Sequence, residues 1–213
     1  MPMRADFRLT LLFAAALVVA ASSSLLAQAR GSGPSRDNGD DAIGKPGTLT
    51  ALETAVLNAM TDRNIVAHLI LEDSTEAALA EPISDIVHDT AVSNFAKMVA
   101  RDHAHALELD RALVPGLRGL PRLSAGDTID PRTLRMMEAR FRGLAPDSSL
   151  DQTYVSAEIL HHLHLLNELA ALRATAAHAP VQERIDNEMA IVRAHLVHAQ
   201  ALARGVGVPG PGR

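Results

Sequence analysis

The sequence predicts an all-α protein, an antiparallel four-helix bundle with a long connection between its second and third helices. Apolar residues recur at three- and four-residue spacing in four long stretches, the mark of helices with one buried face. No stretch alternates as a half-buried strand would, and runs rich in β-branched and aromatic residues are missing. Breakers separate the stretches in a short–long–short order, which makes two hairpins.

In chain order, residues 1–29 read as a cleaved signal peptide. Arg4 and Arg8 precede an apolar run at 9–21, and Ala27-Gln28-Ala29 supplies a small-x-small cleavage pattern. The run is short for a span of about 20 apolar residues, so no membrane span is expected after cleavage. Residues 30–47, rich in Gly, Ser, Asp and Pro, read as a disordered linker. The domain is placed at 48–205 and a flexible tail at 206–213. A short helix at 49–60 opens the domain.

The first long helix starts at a cap on Thr61 or Asp62 and runs to about Ala80, where Pro82 is expected to end or kink it. Its stripe is Ile65, Leu69, Glu72, Glu76, Leu79 and Ile83, with a rival beside it through Val66, Ile70, Asp73, Ala77 and Ala80. The second helix, capped by Asp89 or Thr90, carries Val92, Phe95, Val99, Asp102, Ala106, Leu109 and Leu113, with His103 next to the seam. Residues 115–149 form the long connection, with a short helix at 131–142. That length suffices to cross the bundle end to end, as in ferritin-like topology. The third helix, 149–178, carries Glu158, His162, Leu165, Leu169, Leu172 and Ala176. The fourth, opened by Pro180, carries Ile185, Glu188, Val192, His195, Ala199 and Leu202.

Composition narrows function. One Tyr, four Phe and no Trp leave little for base stacking, and 25 acidic against 20 basic residues disfavours a phosphate backbone. No nucleic-acid partner is expected. Zero Cys removes disulfides and thiolate chemistry. Ten His is a generous number for 213 residues and is the main hint of chemistry.

Three segments carry a resemblance. Residues 94–110 (NFAKMVARDHAHALELD), 151–162 (DQTYVSAEILHH) and 194–203 (AHLVHAQALA) resemble the His-bearing helices of a family of exported bacterial proteins. That family is catalogued as a ferritin-like domain of unknown function and often labelled outer-membrane protein. The resemblance covers about 49–205 and implies a ferritin-like fold, export to the periplasm or beyond, and no established activity. It puts His103, His162 and His195 on the family's His positions. The segment around Pro82 is longer than the family's usual turn.

The polar residues on the four stripes suggest a metal site. Ferritin-like di-iron centres use a Glu from each of two helices and Glu-x-x-His from each of the others. Here Glu158 with His161 is one such motif and Glu158 with His162 an overlapping pair, but no second Glu-x-x-His exists. With the last hairpin's turn at Ala179, His162 lies 17 residues before it and His195 16 after, so they face each other. Glu188, 9 after, falls about 10 Å or more along the axis and is a poor co-ligand. The candidate ligands are Glu72, Asp102, His103, Glu158, His162 and His195, for iron, manganese or zinc. His105, His161 and His164 are expected to point outward, with His68, His88 and His178 near helix flanks or ends. The competing reading is that these His and acid pairs hydrogen-bond each other and set the bundle's register.

The sequence therefore reads as an exported helical-bundle protein, a binding or stress-related accessory module with transition-metal binding in its core. A di-metal carboxylate oxidoreductase, and a structural bundle with an envelope protein partner, are the rivals. The balance leans away from an enzyme.

Overall fold

The computed structural model describes residues 47–117 and 149–205. The expected signal peptide, nearly all of the linker, the short helix at 131–142 and the tail lie outside the described residues. Among those described there are five α-helices and no strand: α1 (Ala51–Asn58), α2 (Asp62–Ser84), α3 (Thr90–Leu113), α4 (Ser149–Thr175) and α5 (Ala179–Gly205). The helices pack as a bundle, and none of them is long and apolar enough to cross a membrane.

Local chemistry starts the helices. Thr50 caps α1 in a capping box with Glu53, and Thr61 caps α2 in one with Asn64. Asp89 caps α3 by accepting from the amides of Ala91 and Val92. Pro82 does not end α2, which continues to Ser84. A proline two residues from a helix end removes a single backbone donor there, and burial of Ile83 holds the last turn down. α4 stops at Thr175, earlier than the expected His178. The amides of Ala177 and His178 turn instead to the Asp62 carboxylate, at 2.8 and 2.9 Å. The opposite hairpin is held the same way: Asp151 of α4 accepts from the amides of His88 and Asp89, at 2.8 and 3.1 Å. Each turn is thus pinned by an acid from the other hairpin.

Contacts give the helix directions. Ser84 meets Ser93 and Asp73 meets His103, so α2 and α3 are antiparallel. α4 and α5 are antiparallel through Arg173 with Asp186 and His162 with His195. Phe95 meets Tyr154 and His103 meets His162, so α3 and α4 run parallel. The end of α3 and the start of α4 therefore lie at opposite ends of the bundle. Before α1, Gly47 sits against Leu163 with φ 84°, where an added Cβ would come within 3.0 Å of the Leu163 Cβ. Its carbonyl accepts from Asn167 at 2.6 Å, so the end of the expected linker is docked on α4.

Burial follows the expected stripes with two corrections. On α2 both rival stripes are inside, because neighbouring elements cover most of its circumference. On α3 the expected Val92, Phe95, Val99 and Ala106 are buried, but at two positions the next residue is the one inside: His103 and Asp110 are buried, while Asp102 is part-exposed and Leu109 is 40% exposed. Two apolar clusters result. One contains Ile83, Phe95, Val99 and Val155, the other Ile65, Leu69, Leu169 and Ile185. Between them lies a slab of buried His, Glu and Asp.

Candidate metal centre

Three imidazoles from three helices meet in that slab. His103 of α3, His162 of α4 and His195 of α5 are 0–1% exposed, and one ring nitrogen of each lies within 4.8 Å of those of the other two. Each ring uses one nitrogen on an oxygen outside the group. His162 Nδ1 lies 2.9 Å from the Glu158 backbone carbonyl, which can only accept, so Nδ1 carries the proton. His195 Nε2 lies 3.1 Å from Asp102 Oδ2. Hydrogen bonds from His195 and Arg101 hold that carboxyl below its ordinary value although burial opposes them, so Asp102 accepts and Nε2 donates. His103 Nδ1 pairs with Asp73 Oδ1 at 2.7 Å, and the buried His103 Nε2 is left without a hydrogen-bond partner.

These tautomers have a consequence for the remaining nitrogens. His162 Nε2 and His195 Nδ1 face each other at 3.3 Å, and with the protons assigned as above each presents a lone pair to the other. The contact is no hydrogen bond. Burial, then the charges of His161, His103 and His195, hold His162 well below its ordinary pKa. Burial and His103 lower His195 too, against the pull of Asp102. Both rings are neutral at pH 7. A tetrahedral ion with bonds of 2.0–2.1 Å sets its ligand atoms about 3.3 Å apart, the spacing seen here. Orienting oxygens behind metal-binding imidazoles are the usual arrangement.

Acids surround the group. Glu158 Oε2 lies 3.4 Å from His162 Nδ1, and Glu76 joins Glu158 and His162 as a second cluster of ligand type. Burial, then the Glu76 charge, push Glu158 well above its usual range. A small cavity of about 10 Å³, lined by Glu76, Tyr154, Glu158 and His161, lies beside them. Behind His103, Arg184 reaches Asp73 at 2.9 Å, Asp110 at 2.7 Å and Glu188 at 2.8 Å. One guanidinium cannot neutralise three buried carboxylates. Burial, then Asp73, push Asp110 up to about 9, so it holds a proton at pH 7.

Because that folded value lies above the unfolded one, the contribution of Asp110 to stability is fully present below about pH 4 and is lost as pH rises through about 9. Thermal melts of the metal-free chain should show Tm falling from pH 7 to pH 9.5. Asp110→Asn, which mimics the protonated form, should flatten part of that fall.

Of the six residues singled out from sequence, the structure gathers His103, His162 and His195 around one point. Asp102 stands behind His195, and Glu158 stands on the far nitrogen of His162. Glu72 does not join them: it groups with His68 and Glu168. Glu188, set aside on height, stays outside the three-imidazole group and lies with Asp73 by His103, 3.6 Å from its Nδ1. His161, His164 and His68, expected outside or at flanks, are buried. His68 and His161 lie between α2 and α4, and α1 packs on α4, where Glu53 reaches His164. His105 is exposed as expected, and His88 and His178, placed near helix flanks or ends, are exposed too. Sequence reasoning also passed over Asp73 as a His103 partner and missed Arg184, whose i,i+4 spacing to Glu188 was the available signal.

Neither a search of curated proteins nor one of solved structures found a match. A family profile does match, over residues 48–202, a span that takes in α1 to α5 almost whole and every residue of the His group. The chain belongs to the family described as a domain of unknown function, DUF4142.

Proposed function

We propose that this chain is an exported, ferritin-like four-helix protein that holds a divalent transition ion on His103, His162 and His195 and serves as a binding or stress-related accessory module. The observation that carries this reading is the pair of bare nitrogens on His162 and His195, 3.3 Å apart, beside the orphaned nitrogen of His103. Imidazole ligands favour zinc or iron over manganese. Three protein ligands leave a further position for water or a small molecule. The antiparallel pairing of α2 with α3 and α4 with α5, with α3 parallel to α4, supports the ferritin-like arrangement. Export rests on the basic start, apolar run and small-x-small pattern of residues 1–29.

Metal content tests the reading. The chain purified without a chelating tag should carry about one equivalent of zinc or iron per molecule, by mass spectrometry of the digested protein. No metal after reconstitution would favour a structural bundle instead. Asp102→Asn should weaken zinc by about 10–100-fold, as loss of an orienting partner does, with little change in the metal-free Tm because Asp102 is part-exposed.

A second reading, a di-metal carboxylate oxidoreductase, is favoured by one observation, the Glu76–Glu158–His162 cluster adjoining the three imidazoles. The missing second Glu-x-x-His opposes it. Turnover of oxygen or peroxide by the iron-loaded protein would support it.

A further inference from the structure

On the other side of the slab the sequence His-x-x-x-Glu occurs twice, as His68–Glu72 on α2 and His164–Glu168 on α4. Four-residue spacing puts each pair on one helical face, and because α2 and α4 are antiparallel the two pairs face each other. We infer that His68, Glu72 and Glu168 form a second divalent-cation site, separate from the three imidazoles and selective for a harder ion such as Mn²⁺.

One ligand atom from each of the three lies within 4.8 Å of the others. His68 is 5% exposed, yet neither of its nitrogens has a hydrogen-bond partner. Its Nε2 stops 3.8 Å from Glu168 Oε2, too far for a hydrogen bond. The other oxygen of Glu168 lies 3.4 Å from His164 Nε2. Glu72 Oε2 lies 3.9 Å from His161 Nε2, and both His161 nitrogens also lack hydrogen-bond partners. Helix α1 completes the enclosure. Leu57, 3% exposed, anchors it, and Glu53 uses one oxygen on its own cap while the other lies 3.6 Å from His164 Nε2. Two carboxylates to one imidazole suit manganese better than a set of three imidazoles does. The two sites share no ligand, so this inference stands apart from the one above.

Titration of the full chain with Mn²⁺, followed by the loss of the free-ion electron paramagnetic resonance signal, tests it. Wild type should take up one Mn²⁺ in the presence of one equivalent of Zn²⁺. His68→Gln/Glu168→Gln should weaken Mn²⁺ by about a hundredfold or more, beyond the effect of losing an outer partner, and keep its Zn²⁺. Unchanged Mn²⁺ binding in that folded variant overturns the inference. Retention of Mn²⁺ with no zinc bound would overturn the three-imidazole reading and leave this one. If the variant does not fold, anomalous scattering at the manganese edge from wild-type crystals decides. A peak between His68, Glu72 and Glu168 supports the site, and a peak only at the three imidazoles, or none, overturns it.

Discussion

His162→Ala should abolish zinc binding at the three-imidazole group, weakening it by well over about a hundredfold, more than an outer-partner substitution does. His162 supplies one of three nitrogens, and the three rings form a triangle with centroids 5.2, 5.3 and 6.1 Å apart. Two imidazoles remain, and the Asp73 and Asp102 carboxylates beside them lie against His103 Nδ1 and His195 Nε2, the nitrogens turned away from the group. The loss should be visible in stability as well. A ligand at a hundred times its Kd stabilises the folded state by about 2.7 kcal/mol, which raises Tm by roughly 5–10 °C for a chain of this size. Zinc should therefore raise the Tm of wild type by about that much and leave His162→Ala unmoved. Differential scanning fluorimetry with and without zinc checks both arms. A zinc-dependent rise that survives in the variant would place the ion elsewhere.

The largest effect on the metal-free fold is expected at Arg184. Its guanidinium is the cation among Asp73, Asp110 and Glu188, and it also donates to the Ala106 carbonyl at 3.3 Å. Arg184→Leu removes the charge and leaves the acids buried, a change that costs about 3–5 kcal/mol when one partner of a buried pair is deleted. A Tm lowered by roughly 10 °C or more is expected. The deficit should widen with pH. Without Arg184, which pulls both down against burial, the Asp73 and Asp110 carboxyls lie still further above their unfolded values, so their share of stability is lost more steeply as pH rises. Melts of both proteins between pH 5 and pH 8 measure this. A deficit independent of pH would mean that Arg184 acts by packing alone.

The helices and the meeting of His162 with His195 were legible because both follow from spacing. Periodicity places a residue on a face, and counting from a turn places it at a height. Facing is less secure. A rotation of about 100° separates Asp102 from His103, and both fit a polar slot in the apolar stripe of α3, so the seam was drawn through the wrong one. The same rotation exchanged Leu109 for the buried Asp110. Burial of His68, His161 and His164 was hidden for another reason. A two-sided amphipathic pattern assumes one buried face per helix, but α2 meets neighbours on nearly every side and α4 carries α1 on its back.

X-ray absorption at the zinc edge on the reconstituted protein addresses the central claim most directly. The account predicts three imidazole nitrogens at about 2.0–2.1 Å with the outer-shell scattering of histidine rings, reduced in His162→Ala. A first shell made of oxygens alone, or one unchanged by that substitution, would contradict it.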